Sequence, residues 1–172
     1  AFCSGDYETN QSRILTNFDG SFSDVVTLAH ELGHAWHNEC IKDHRALNHD
    51  YSMPLAETAS TFNECVVMAS AIKKAADDQE KLALIESQLQ DATQIICDIY
   101  SRFRFEKAVF EKRPEEFMHA DTLCRQMLDA QKASYGEGLD PEVMHPYMWI
   151  CKSHYYGPAY YNFPYAFGGL FA

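Results

Sequence analysis

The chain has 172 residues, 14 Lys+Arg against 25 Asp+Glu, a formal net charge of −11, and 47% of its residues in the AVILMFWYC set. That length supports one domain with its own core, and the balance excludes wholesale disorder, collagen-like and low-complexity chains. A surface this acidic repels phosphate backbones and anionic head groups, so neither nucleic acid nor a membrane is an expected partner.

Six cysteines, at positions 3, 40, 65, 97, 124 and 151, form no C-x-x-C pair. They are expected to be reduced and mostly buried, in a cytoplasmic setting. No apolar run approaches the ~18 residues of a membrane span, and the opening residues contain no basic n-region followed by an apolar h-region.

In chain order, Arg13 to Phe18 alternates weakly and stops at Asp19-Gly20, which predicts a short strand closed by a turn. Ser21 and Asp24 have capping-box spacing, and Val25, Leu28, Ala29, Leu32 and Trp36 recur at helical intervals, predicting a helix from about Ser23 to Cys40. In this reading Leu28, Leu32 and Trp36 face the core. After a loop from Ile41 to Met53, Pro54 suits a first helical residue, and Leu55, Phe62, Val66, Ala69 and Ile72 carry a second helix to about Ala76. Apolar positions from Leu82 to Phe110 follow a three-four spacing, predicting one long helix over Gln79 to Lys112, interrupted in its stripe by Glu106. Glu106 is expected to pair with Arg102 or Arg104. A fourth helix is predicted from about Pro114 to Ser134, ended by Gly136, Gly138 and Pro141. Beyond residue 135 lie four of the six prolines, five of the eight glycines and six of the ten tyrosines, and no acid follows Glu142. This aromatic segment is expected to line something, and it ends in what reads as another apolar helix.

His30, Glu31, Leu32, Gly33 and His34 spell H-E-x-x-H inside the first helix. Residues four apart share a helical face, so both imidazoles reach one metal ion while Glu31 points towards a water on it. Catalytic zinc takes three protein ligands. A metzincin would need Gly at 37 and His at 40, whereas the chain has His37 and Cys40, which disfavours that class. The remaining common solution is a Glu on the following helix. Glu57 fits it, 23 residues after His34 across a loop that turns the chain back. Glu64, two turns or ~10 Å further on the same face, is assigned as acceptor for the outer N–H of a ligand histidine. His37 reads as a packed neighbour rather than a ligand, and His44 and His49 as solvated. With one zinc ion per chain, Glu31 acts as general base on the metal-activated water and returns its proton to the leaving amine, which is amide hydrolysis. Donors for the oxyanion are available in His154, Tyr155, Tyr156, Tyr160, Tyr161 and Tyr165, with Tyr160 and Tyr165 assigned to substrate binding.

The run LAHELGHAWH from Leu28 to His37, AETAS around Glu57, RFRFE ending at Glu106 and the segment His154 to Tyr165 closely resemble the oligoendopeptidase F branch of the thimet-oligopeptidase-like zinc peptidases. The resemblance covers nearly the whole chain. It implies a gluzincin site of His30, His34 and Glu57 with Glu31 as base, and oxyanion stabilisation by His154 and Tyr161, with Tyr165 a further candidate. It also implies a mainly α, zincin-like catalytic core with a small β-sheet remnant at the N-terminus, whose strand lies beside the cleft. Residues 1–172 are then a single zinc-peptidase catalytic domain, a fragment of a longer, mostly helical enzyme acting on short oligopeptides, and faces left uncovered would drive self-association. Two alternatives stand beside this: a non-catalytic peptide- or metal-binding module that keeps the zinc site, and a zinc hydrolase of another amide.

Overall fold

The computed structural model describes residues 1–172 in two compact units, residues 1–90 with 167–172 and residues 91–166. Helices account for 67% of the chain, and one two-stranded antiparallel sheet supplies its β-structure. The predicted mainly helical class with a small N-terminal sheet is what the chain adopts. No helix is long and apolar enough to cross a membrane.

The first unit opens with β1 (Phe2–Asp6) and β2 (Gln11–Leu15), paired from Phe2↔Leu15 to Asp6↔Gln11. Their turn is held by Asp6, whose Oδ1 accepts the Glu8 N–H at 3.0 Å. The strand predicted at Arg13–Phe18 is shifted back, because residues beyond Leu15 have no partner opposite them in the ladder. Helix α1 (Phe22–Ile41) follows, with Ser21 as N-cap and the complete capping box: Ser21 Oγ accepts the Asp24 N–H and the Asp24 carboxylate accepts the Ser21 N–H. The hairpin is tied to α1 by Asn38, which donates to Ser12 Oγ at 3.0 Å.

The predicted second helix is broken. Short α2 (Met53–Ala56), with Pro54 in its first turn, stops at Glu57, whose φ of −99° and ψ of 2° are not helical, and α3 (Thr58–Lys74) starts beyond it. Helices α1 and α3 meet along small residues. A Cβ added to Gly33 would lie 2.5 Å from the Ala59 carbonyl oxygen and 2.5 Å from Ser60 Cα. Only glycine allows that approach. The expected core stripe of α1 is therefore overturned: Leu32 is 48% and Trp36 63% exposed, while Ala29, Glu31 and Gly33 are the buried residues. On α3 the same holds, with Phe62 and Val66 exposed and Ser60, Thr61 and Met68 buried.

Helix α4 (Asp78–Thr93) is followed by a π-helical turn at Gln94–Asp98 and then by α5 (Ile99–Lys112), so the predicted long helix is present but has an inserted π turn. In the second unit, Phe105 of α5 packs with Met127 and Ala130 of α6 (Ala120–Tyr135), flanked by Val109, Leu123, Met148, Trp149 and Tyr155. Helix α6 starts six residues later than Pro114, because the Glu115 and Glu116 N–H groups fold back onto the Lys112 carbonyl and His119 is extended, with ψ 158°. Gly136, at φ 56°, ends it. Short α7 (Met148–Cys151) and a 3-10 turn (Ser153–Tyr156) lead to α8 (Phe163–Phe171), the predicted apolar terminal helix. All six cysteines are free thiols. None is fully buried, and Cys40 and Cys151 are exposed, which corrects the expectation of burial.

Candidate active site

In the first unit, the helical period of α1 places His30 and His34 one above the other, and the break at Glu57 lets that carboxylate turn away from the helix axis towards both rings. The three atoms form a near-equilateral triangle. His30 Nε2 lies 3.2 Å from His34 Nε2 and 3.2 Å from Glu57 Oε2, and His34 Nε2 lies 3.5 Å from the same oxygen. Tetrahedral coordination with bonds of about 2.0–2.1 Å separates its ligand atoms by about 3.3 Å, so the donor set fits zinc in both chemistry and spacing. Ser60, absent from the sequence reading, fixes Glu57: its hydroxyl donates to Glu57 Oε2 at 2.9 Å and to the Glu57 carbonyl at 3.0 Å.

Glu64 Oε1 meets His30 Nδ1, so one carboxylate holds the outer nitrogen of His30 and another lies against the inner one. Burial works against a charge on His30, but the Glu57 and Glu64 carboxylates outweigh it and push its pKa up to about 9. Burial and the neighbouring His30 push His34 the other way, to below its ordinary value. Glu57 is held below the carboxylate range, with burial opposing and the His30 contacts prevailing. Glu31 is buried, 5% exposed, and its charge helps to raise the Cys3 thiol pKa, after burial. His37 stacks on Tyr51 with centroids 4.3 Å apart, and stays outside the triangle. His44 and His49 bond to loop carbonyls, the Nε2 of His49 lying 3.1 Å from the His44 oxygen. Gly168 of α8 crosses the Glu57 backbone so closely that a Cβ there would stand 2.8 Å from the Glu57 carbonyl oxygen.

In the second unit, the aromatic tail brings His154, Tyr161 and Tyr165 into one cluster. The His154 ring lies 5.1 Å from that of Tyr161 and 5.8 Å from that of Tyr165. Other tyrosines of the tail pack elsewhere. The Tyr160 ring sits 5.5 Å from Phe103 and 5.4 Å from Phe110, and Tyr155 packs 5.3 Å from Phe105. The Tyr156 hydroxyl donates to the Trp149 carbonyl at 3.1 Å. Glu106 does not pair with an arginine: its Oε1 accepts the Tyr160 N–H at 2.8 Å, while Arg102 is engaged by Asp98 and Asn162. Asp98, one turn before Arg102 on the other side from Glu106, takes that arginine instead. Asn162 is a residue that sequence reasoning missed, though a lone amide among aromatics was a signal for it.

Comparison with known proteins finds similarity along nearly the whole chain. Group B oligopeptidase PepB of Streptococcus agalactiae is 28% identical over 170 residues, covering 98% of this chain and 28% of that protein. The chromosomal oligoendopeptidase F of Lactococcus lactis subsp. cremoris is 28% identical over 172 residues, with the same coverages of 98% and 28%. Oligopeptidase PepF of Bacillus subtilis is 28% identical over 170 residues, covering 98% of this chain and 25% of that protein. The chain thus spans about a quarter of the length of the curated relatives it matches. No solved structure gives a significant match. The sequence model of Peptidase family M3 matches residues 1–169, and by that match, which spans nearly the whole chain, the chain belongs to Peptidase family M3.

Proposed function

We propose that this chain carries the metal site and the acid–base group of a zinc metalloendopeptidase that hydrolyses peptide bonds in short oligopeptides, within a zincin-like core. The observation that supports this best is the triangle of His30, His34 and Glu57, with edges of 3.2, 3.2 and 3.5 Å. These three residues hold one zinc ion, which when bound acidifies water and polarises a carbonyl. Glu31, one residue after His30 and buried, takes the proton of the attacking water and delivers it to the departing amine nitrogen. Glu64 keeps the His30 ring in register through its Nδ1, and Ser60 keeps the Glu57 carboxylate aimed. To His154 and Tyr161 we assign stabilisation of the oxyanion, and to Tyr165 a contact with substrate. Tyr160, assigned to substrate binding, packs its ring against Phe103 and Phe110. The names of the relatives, oligopeptidase and oligoendopeptidase, support oligopeptides as substrates.

The test is hydrolysis of quenched fluorogenic oligopeptides by the zinc-loaded chain, with metal content measured in parallel and Glu31→Gln as the blank. Turnover that vanishes in Glu31→Gln, while one zinc per chain is retained, supports the proposal. Hydrolysis unchanged in that variant, or zinc that persists at full stoichiometry after His30→Ala and His34→Ala together, refutes it.

A further inference from the structure

The run RFRFE has no task in the reaction as derived, yet it contributes the most buried charges of the second unit. Arg102 and Glu106, one turn apart on α5, are each only 5% exposed. Both reach the same short segment of the tail. The Arg102 guanidinium is held by Asp98 through Nη2 and donates from Nη1 to Asn162 Oδ1 at 3.1 Å. Glu106 Oε1 accepts the Tyr160 N–H at 2.8 Å. Tyr160 has φ 57°, a left-handed conformation that a bulky residue adopts only when its surroundings impose it. Two buried charges therefore grip residues 160 and 162, and the residue between them is Tyr161.

Asn162 then reaches back to the histidine. It is 1% exposed, and its Oδ1, besides taking the arginine bond, lies 3.3 Å from His154 Nδ1. Arginine has donors only, so the atom it faces is the amide oxygen and not the nitrogen. An oxygen without a proton accepts from both neighbours, which obliges His154 Nδ1 to carry its hydrogen.

We infer that Asp98, Arg102 and Asn162 are positioning residues that lock His154 as the Nδ1–H tautomer, while Glu106 fixes the backbone that presents Tyr161 beside it. The neutral ring offers a lone pair at Nε2. It donates from Nε2 only as the imidazolium, so His154 shares in oxyanion stabilisation in that charged form, beside the Tyr161 phenol as the neutral donor of the pair. This assignment deepens the peptidase reading and rests on it for its catalytic meaning, but the tautomer itself is measurable without turnover.

The experiment is long-range 1H–15N correlation on the full chain labelled with 15N-histidine, recorded with the histidines neutral, with His154→Gln identifying the resonance. The wild type is expected to show a protonated-type Nδ1 and an unprotonated-type Nε2 for His154. Asn162→Asp keeps an acceptor and should keep this pattern, whereas Asn162→Leu should shift the ring towards the Nε2–H form. A wild-type ring already in the Nε2–H form overturns the inference, and so does an Asn162→Leu ring that stays Nδ1–H. If Asn162→Leu does not fold, the wild-type and Asn162→Asp spectra still decide. The expected tautomer in a chain that hydrolyses no peptide would uphold the lock and refute the peptidase reading, so the two fail separately.

Discussion

Replacing Gly33 with alanine separates the helix–helix seam from the ligands it carries. The new Cβ would sit 2.5 Å from two backbone atoms of α3, where ordinary contact begins at 3.4 Å, so the helices must part there by about 0.9 Å. No side chain can rotate out of the way, because both atoms are main chain. Alanine favours the helix over glycine by about 1 kcal/mol, and overpacking costs about 1–3 kcal/mol. The net loss of folding stability is therefore small, between roughly 0 and 2 kcal/mol, or at most about 4–8 °C in Tm. The metal site is far less tolerant. His30 and His34 ride on α1 and Glu57 stands at the start of α3, and metal–ligand distances tolerate about 0.2 Å. We expect zinc affinity to drop about 10–100-fold, or about 1.4–2.7 kcal/mol. Competition with a chromophoric chelator reads this, with Gly138→Ala, which meets nothing within 4 Å, as the control. A Gly33→Ala chain that holds zinc as tightly as the wild type would refute the claim that close approach builds the site.

Four further outcomes follow from the same geometry. Zinc must expel the proton that His30 holds up to about 9, so apparent affinity should climb with pH by up to ~tenfold per unit below that value and level off above it; a pH-independent chelator titration would contradict this. Glu64→Gln removes the carboxylate from His30 Nδ1, and should weaken zinc binding about 10–100-fold and move that plateau to lower pH; unchanged affinity would show the contact to be idle. Burial raises the Glu106 pKa above 4.5, so the folded chain holds this proton more tightly than the unfolded one and loses stability as pH rises from 4.5 through the folded value. Glu106→Gln should flatten that slope in urea unfolding, and an unchanged slope would count against it. The exposed Leu32, Trp36, Phe62 and Val66 should make the chain self-associate with concentration, and a monomer throughout a sedimentation series would remove the prediction.

What could be read from the sequence was local, and what could not be read depended on a partner. Ser21 with Asp24 gave the start of α1, and H-E-x-x-H gave two ring nitrogens on one face, because spacing within a helix is set by the helix alone. The break at Glu57 was invisible: Pro54 and the apolar positions after it are equally compatible with one unbroken helix, and the break shows only when the carboxylate has somewhere to turn. β1 was missed because Phe2 to Asp6 has no strand signal strong enough to stand without β2 opposite it. Glu106 was given the wrong partner because a backbone N–H from 54 residues away does not announce itself in spacing.

The largest misreading, the buried faces of α1 and α3, has one physical source. Hydrophobic periodicity finds the face that large side chains share, and assumes that this face is the one inside. Two helices that bring His30, His34 and Glu57 within reach of one another need their backbones close, so the seam takes Gly33, Ala29, Ser60 and Thr61, and those three polar residues lie beside it. The apolar residues are then left on the other faces. Within a metal motif, a glycine at the position before the second histidine is thus better evidence for where the partner helix lies than the leucine before it. Gly33 is such a glycine and Leu32, half exposed, such a leucine.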